Sequence, residues 1–140
     1  TQLINHAKMM LNLPKVIAGD LMSPASAMMS VATVADVHTR KRNRGGSIIL
    51  IDPQGMPCGV VDEQALSRVA VEAASEVSAL AVSRALGRGA VVAAEADGRQ
   101  LIDYLATVAS AEYAVIDARG AVVGLLHQRK IISAVTGRKA

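Results

Sequence analysis

Residues 48–61 of this chain recur in outline at residues 113–126, an offset of 65 positions. The residues identical in the two copies are Ile51 and Ile116, Asp52 and Asp117, Gly55 and Gly120, and Gly59 and Gly124. A segment that repeats at a fixed offset predicts one supersecondary unit built twice. Each unit has only about 60 residues, too few to bury its apolar face efficiently alone, so we expect the two units to share a core.

Each copy of the repeat predicts a β-hairpin. A run of apolar, mostly β-branched residues is followed by Asp-x-x-Gly and then by a second apolar run. In such a turn the aspartate bonds the turn backbone and the glycine supplies a positive φ. Gly59 and Gly124 lie inside the returning strands, where a glycine marks a bulge or the close approach of another backbone or a ligand.

Helices are predicted on both sides of each hairpin. After the hairpins, the apolar residues at helical spacing are Leu66, Val69, Ala70 and Ala73 in the first copy and, over a shorter stretch, Ile131, Ile132 and Val135 in the second. Before the second hairpin, a capping box at residues 97–100 opens a helix. Its counterpart begins at Thr33 and merges into a basic run, so we expect that helix to be short or frayed. Strands near residues 27–32 and 90–94 complete a β-α-β-β-α unit, twice, in the α/β (α+β) class.

The predicted organisation has four parts: an N-terminal helix and linker over residues 1–16, one unit over 17–74, a second unit over 75–136 and a basic tail over 137–140. The N-terminal helix covers residues 3–13 and ends at Pro14. Its apolar residues are expected to pack against the domain or against a neighbour; they are Leu3, Ile4, Met10, Leu11 and Leu13. A short extended piece is expected at residues 77–82, where the units join.

Composition excludes several classes of protein. The longest uncharged stretch, between Asp20 and Asp36, is interrupted by polar residues and proline, so it does not predict a membrane-spanning helix. A single cysteine, Cys58, excludes an internal disulfide framework and a tetracysteine zinc site. The three histidines lack metal-ligand spacing and no nucleophile-elbow pattern is present, so we expect neither a metal site nor catalytic residues. The chain begins at Thr1 without a signal-peptide pattern, and we expect it to be part of a longer protein.

Positive charge is concentrated in one place. The formal net charge is +3, and four cations, Arg40, Lys41, Arg42 and Arg44, lie within five residues. A solvated helix end is the simpler interpretation, because aromatic residues do not interleave the run. Contact with nucleic acid or an anionic surface is the alternative, although no nucleic-acid partner is expected.

The repeat resembles a known family. A tandem β-α-β-β-α unit, opened by Asp-Leu-Met-Ser-Pro at residues 20–24 and carrying apolar-Ile-Asp-x-x-Gly-x-x-x-Gly twice, resembles the cystathionine-β-synthase (CBS) domain pair, or Bateman module. The resemblance covers about residues 17–136. It implies a pseudo-symmetric pair of units, a regulatory role without catalysis, and a homodimer formed through the CBS units.

A narrower resemblance concerns the parent protein. Leu13-Pro14, residues 76–81 and residues 109–117 look like the CBS pair at the cytosolic C-terminal end of bacterial site-2-protease-type membrane zinc metalloproteases. This resemblance implies an attached upstream domain embedded in the membrane and a location on the cytoplasmic side. Zinc would belong only to that protease domain, since its His-Glu-x-x-His motif is absent from these residues.

The CBS resemblance also implies a place for a ligand. Many members hold an adenosine nucleotide through Gly-apolar-apolar-Thr/Ser-x-x-Asp, and both copies depart from that pattern at both polar positions. The first copy has Asp62 and Ala65 there, so its cleft is expected to be empty. In the second copy, Gly124, His127, Arg129 and Lys130 are the candidate residues of an anion or nucleotide cleft. A solvated basic helix start is the alternative, because Lys130 is a donor where the ribose needs an acceptor.

These observations predict a non-catalytic regulatory and dimerisation module. An adenosine nucleotide, of the AMP or ATP type, is the one cofactor left open for the chain itself. The alternatives are therefore a nucleotide sensor belonging to another enzyme or transporter, and an anionic-surface or nucleic-acid contact through residues 40–44.

Overall fold

The computed structural model describes residues 16–137, which contain seven strands and six α-helices. In chain order the elements are α1 (Ala18–Leu21), β1 (Ser23–Met29), α2 (Val34–Arg44), β2 (Ser47–Ile51), β3 (Pro57–Val61), α3 (Glu63–Leu66), a 3₁₀ turn (Val71–Ala73), α4 (Ala79–Val82), β4 (Arg84–Ala85), β5 (Val91–Ala93), α5 (Gly98–Thr107), β6 (Glu112–Ile116), β7 (Val122–His127) and α6 (Gln128–Thr136). None of the helices within this range is long and apolar enough to cross a bilayer.

Both predicted hairpins are confirmed, and their turns are built in the same way. The Asp52 carboxylate accepts backbone hydrogen bonds from Gln54 and Met56, at 3.0 and 2.9 Å. The Asp117 carboxylate does the same in the second turn, at 2.9 and 3.0 Å. The turn glycines have φ of 84° at Gly55 and 82° at Gly120, a region that side chains disfavour. Local chemistry alone therefore specifies these two turns.

The seven strands form one sheet in the order β4-β3-β2-β1-β7-β6-β5. β1 runs parallel to β2 and β5 runs parallel to β6, as a β-α-β connection requires, while the hairpin pairs are antiparallel. The two halves meet where β1 pairs antiparallel with β7, through Ser23 opposite Leu125 and Pro24 opposite Gly124. The predicted fold class is confirmed.

The strand glycines of the repeat mark close approaches, as predicted. A Cβ at Gly59 would lie 2.6 Å from Ser83 Oγ. A Cβ at Gly124 would lie 2.7 Å from Met22 Cγ, with Met22 Sδ closer still. In each case, the residue just before the strand that pairs with the glycine's strand crosses over the glycine: Ser83 precedes β4 and Met22 precedes β1. A side chain at either glycine would therefore collide with it.

The interior is built from two apolar clusters. The larger one is centred on the second repeat and includes the fully buried Val92, Tyr113 and Leu126. The smaller one lies between α2 and the first hairpin. Tyr113 is the largest fully buried side chain, and its hydroxyl donates to the Val108 carbonyl and accepts from the Ser110 amide. The chain has no Phe or Trp, so aliphatic side chains fill the rest.

The expectation that the helix after Thr33 is short was wrong. α2 continues through Arg44, and a capping box between Thr33 and Asp36 closes its N-terminus. Two hydrogen bonds stabilise its basic C-terminal end: Arg40 donates to the Ala27 carbonyl at 2.8 Å, and Lys41 donates to the Gly46 carbonyl at 2.6 Å. Cations near a helix C-terminus are also favoured by the helix dipole.

Three other element predictions are corrected. The apolar stripe from Leu66 to Ala73 is split into the one-turn helix α3 and the 3₁₀ turn, so the longer helix belongs to the second repeat. The piece at residues 77–82 is not extended: Ser78 accepts from the Leu80 amide and opens α4. The first strand ends at Met29 rather than reaching residue 32, because the Ala32 amide closes a turn on the Met29 carbonyl. The predicted helix at residues 3–13 lies outside the described residues.

Candidate ligand cleft between the repeats

A cleft of about 430 Å³ lies between the two repeats. It is formed by the end of β3, strand β4, the start of β6 and the junction of β7 with α6; its lining residues are Asp62, Arg84, Ala111, Glu112, His127, Gln128 and Arg129. Residues from both repeats therefore share this cleft.

Arg84 occupies the centre of an ion network in the cleft. Its Nε and Nη2 atoms donate to Oε1 and Oε2 of Glu112, both at 2.9 Å. Its Nη1 atom donates to Asp62 Oδ2. His127 Nδ1 lies 3.4 Å from Glu112 Oε2. The Glu112 side chain is only 10% exposed, and a buried carboxylate requires such partners.

The charges of the network stabilise one another. The Glu112 carboxylate, followed by Asp62, raises the pKa of Arg84, even though partial burial opposes the shift. Partial burial alone would raise the pKa of Asp62, but the Ala65 amide and the Arg84 guanidinium outweigh it and lower that pKa. Both groups are therefore held in their charged forms.

Asp62, at one of the two positions where the first repeat departs from the CBS pattern, has a structural role. Its Oδ1 atom accepts from the Ala65 amide at 2.9 Å and caps α3, while Oδ2 accepts from Arg84. Ala65 itself is buried in the smaller apolar cluster. The position where the CBS resemblance implies a ribose acceptor is therefore part of the core.

The structure separates the four predicted site residues. His127 and Arg129 line the cleft together. Lys130 is exposed and is not among the lining residues. Gly124 lies within β7 beneath Met22, where it makes room for that side chain instead of facing the cleft. Ligand binding by these residues stays a prediction.

Sequence reasoning missed Arg84 and Glu112, the two residues at the centre of the cleft. Glu112 had a detectable signal, because it is a charged residue opening an otherwise apolar strand. Arg84 had none: it lies in a two-residue strand, and its partner is 28 positions away. Only the paired strands bring the two together.

The anion-binding capacity of this cleft is reduced by its own groups. Two carboxylates balance the two guanidinium groups, so the lining has no excess positive charge when His127 is neutral. The first amide of α6, that of Gln128, already donates to the Ala111 carbonyl at 2.9 Å. A phosphate at this helix start would have to compete with Glu112 for Arg84.

The basic run at residues 40–44 is mostly engaged within the protein. Besides its bond to Gly46, Lys41 lies 3.0 Å from Glu63, and its side chain is 12% exposed. Arg40 reaches the β1 backbone, and Arg42 donates to Thr39. The run therefore helps to hold α2 against the sheet. Because these cations already have partners within the protein, they are less available to bind nucleic acid. No cluster of metal-ligating side chains occurs between residues 16 and 137.

Comparison with known proteins identifies the fold. No protein-family model matches the sequence, and no curated protein matches it. Among solved structures, the CBS domain of a membrane protein from Sphaerobacter thermophilus is 18% identical, with 95% of each chain covered and a TM-score of 0.60. The CBS domain of a bacterial CNNM/CorC family Mg²⁺ transporter in complex with ATP is 17% identical, covering 99% of this chain and 100% of that one, with a TM-score of 0.57.

A third similar structure is a CBS domain protein from Pyrobaculum aerophilum complexed with AMP. It is 19% identical, covers 82% of this chain and 89% of its own, and has a TM-score of 0.51. At these identities the likeness concerns the fold. This chain therefore has the fold of a tandem CBS-domain pair.

Proposed function

We propose that this chain is a non-catalytic regulatory module of the CBS-pair type. Ion pairs between its own side chains, rather than a bound nucleotide, hold the two repeats together. The observation that carries the proposal is Arg84, which is hydrogen-bonded to Asp62 after β3 and to Glu112 at the start of β6. Any change in the angle between the repeats has to move or break these bonds. The module would pass that change to an attached domain through the segment before Asp20.

The cleft chemistry favours this function over nucleotide sensing. Two of the solved structures mentioned above are complexes, the Mg²⁺ transporter domain with ATP and the Pyrobaculum aerophilum protein with AMP. Here Ala65 and Lys130 stand where the family resemblance calls for a ribose acceptor, and neither accepts a hydroxyl hydrogen through its side chain. Arg84 is already paired with two carboxylates, so a phosphate gains less from it.

Calorimetric titration of the whole chain with AMP and ATP distinguishes regulation without a nucleotide from nucleotide sensing. We expect no saturable heat at nucleotide concentrations up to about 1 mM, which corresponds to about 4 kcal/mol of binding free energy. Saturable binding that is lost in Arg129→Gln, but kept in the exposed control Arg99→Gln, would refute the proposal and establish the sensor.

Nucleotide sensing remains the second candidate, and one specific observation favours it. Arg129 lies in the first turn of α6 and lines the cleft without appearing in the ion network, so its charge is available to an anion. In that case the nucleotide would replace Glu112 on Arg84 and open the network.

We further propose that the module pairs into a homodimer through its CBS units, as the family resemblance implies. Light scattering coupled to size exclusion, at about 100 µM protein, measures the mass directly. A dimer is expected, and a strict monomer would overturn the pairing.

For the parent protein, we propose the site-2-protease-type membrane metalloprotease, with this module on the cytoplasmic side. The support is the resemblance carried by residues 76–81 and 109–117. The coding sequence upstream of Thr1 tests it. A His-Glu-x-x-His motif on an apolar helix would support the proposal, whereas a transporter or dehydrogenase sequence would overturn it.

A further inference from the structure

Two nitrogen atoms from different elements lie against one carboxylate oxygen in the cleft. Arg84 Nη2 donates to Glu112 Oε2 at 2.9 Å, and His127 Nδ1 lies 3.4 Å from the same oxygen. The strand register explains the second contact, since Glu112 and His127 are opposite each other in the β6–β7 pair. Arg84 reaches the carboxylate from β4. A basic group that titrates and one that does not therefore share a single acceptor.

Charged groups from several elements surround His127. Glu112 extends from β6, Arg84 from β4, Asp62 from the end of β3 and Arg129 from the first turn of α6. These two guanidinium groups and two carboxylates balance one another. Histidine is the side chain that ordinarily gains a positive charge as the pH falls from about 8 to about 5. His127 is the only histidine among the described lining residues, and its side chain is 37% exposed to solvent. One proton therefore gives the cleft an excess positive charge.

We propose that His127 makes the ion pair between Arg84 and Glu112 sensitive to pH. A protonated imidazole gives the Glu112 carboxylate a second cationic partner and repels the guanidinium that shares its oxygen. A buried carboxylate needs compensation from its neighbours, and two cations now supply it. Glu112 therefore depends less on Arg84 in mild acid than at neutral pH.

The pair that weakens connects two distant parts of the sheet. Arg84 lies on β4, which pairs with β3 of the first repeat, and Glu112 opens β6 of the second. The bond from Arg84 to Asp62 persists in mild acid, because the pKa of that carboxyl is lowered. Protonation of His127 therefore loosens β4 from β6 and leaves the attachment of Arg84 to the first repeat intact. This role for His127 rests on the proposed regulatory function, and it makes a proton the signal to which the module responds.

Urea unfolding of the whole chain, followed by circular dichroism at constant ionic strength, tests this role. The quantity compared is the drop in the urea midpoint that Arg84→Met causes at about pH 8 and at about pH 5.5. We expect the drop to be roughly twice as large at the higher pH, because protonated His127 still partners Glu112 at the lower one. In a His127→Gln background the drop should be the same at both pH values, since glutamine gains no charge.

His38→Gln is the matched control. His38 lies on α2 and is not among the described lining residues of the cleft. In this background the drop caused by Arg84→Met should keep its dependence on pH. Arg84→Lys, which retains one donor group, provides the same comparison where Arg84→Met is too unstable to fold.

The outcomes separate the role of His127 from the function of the module. An Arg84→Met variant as stable as the wild type at about pH 8 would overturn both, because the ion pair would then contribute nothing to the connection. A drop that is present but equal at both pH values would overturn only the role of His127. The same holds if the dependence on pH survives in the His127→Gln background.

Discussion

The Arg84 guanidinium donates two parallel hydrogen bonds, both 2.9 Å long, to the buried Glu112 carboxylate. Arg84 lies on β4, which pairs with β3 of the first repeat, whereas Glu112 begins β6 of the second. A planar guanidinium matches a carboxylate at both oxygens at once, which the single ammonium group of lysine does not. Arg84 also donates to Asp62 of the first repeat, so the pair and this further bond together connect the repeats.

Removing the arginine should destabilise the fold. Arg84→Met leaves the Glu112 carboxylate buried without its main partner, and we expect a loss of about 2 kcal/mol in the free energy of unfolding. The Arg84 side chain is 43% exposed, so solvent compensates part of the loss. Urea titration followed by circular dichroism measures the change.

Arg88→Met is the matched control for this variant. Arg88 is exposed, and we expect a change within about 0.5 kcal/mol. Arg84→Lys should fall between the two, because it keeps the charge but loses the second hydrogen bond. Equal stabilities for Arg84→Met and Arg88→Met would contradict the role given to the pair.

The contact between Gly124 and Met22 predicts a coupled pair of substitutions. Gly124→Ala places a Cβ about where the Met22 side chain crosses β7, 2.7 Å from its Cγ. We expect a loss of about 1–3 kcal/mol from this overpacking. In the Met22→Ala background the same substitution should cost less, because the two nearest atoms, Sδ and Cγ, are gone and only Cβ, at 2.9 Å, remains. A double-mutant cycle by urea unfolding measures the coupling, and strictly additive effects would show that the contact is not the cause.

Asp62 predicts a dependence of stability on acid. Its pKa is lowered in the folded state, chiefly because the Ala65 amide and Arg84 outweigh the opposing effect of partial burial. A group of this kind contributes its full stability above its unfolded pKa, about 3.9, and loses it as the pH falls through the lower folded value. We therefore expect Asp62→Asn to be less stable than the wild type at pH 7, with a smaller difference near pH 2.

The asparagine retains the helix-capping oxygen, so this substitution isolates the charge. Asp20→Asn, at an exposed position in α1, is the control. Chemical unfolding at a series of pH values gives both curves. The expectation fails if the gap between wild type and Asp62→Asn is the same at pH 2 and pH 7.

Cys58 should react slowly with thiol reagents at neutral pH. Burial, together with the negative charge of Asp52, raises the pKa of its thiol, so little thiolate is present near pH 7. An ordinary thiol has a pKa of about 8.5. We expect the rate at which Cys58 reacts with a disulfide reagent to keep rising as the pH is raised above that value. Asp52→Asn should speed the reaction at pH 8 by lowering the thiol pKa.

The repeat itself supplies the control for this experiment. Asp117→Asn makes the same change in the equivalent turn of the second hairpin and should leave the rate at Cys58 unaltered. Identical acceleration by both variants would indicate a general loosening of the protein instead of an electrostatic effect.

The hairpins, their turns and the capping box of α5 could be predicted from the sequence because each depends on neighbours in the chain. Asp52 bonds amides two and four positions away, and Asp97 exchanges bonds with Gln100 three positions away. Such interactions need no knowledge of the rest of the fold. The same holds for the two-unit architecture, since it follows from the repeat.

The tertiary structure alone decided how far α2 extends and what fills the cleft. The basic end of α2 is held in place by contacts with other elements, because Arg40 donates to the Ala27 carbonyl of β1 and Lys41 lies 3.0 Å from Glu63 of α3. Arg84 meets Glu112 only because strand pairing brings two distant segments together. Both outcomes depend on contacts between residues far apart in sequence, and these contacts form only when the sheet forms. Local residue preferences therefore do not predict them.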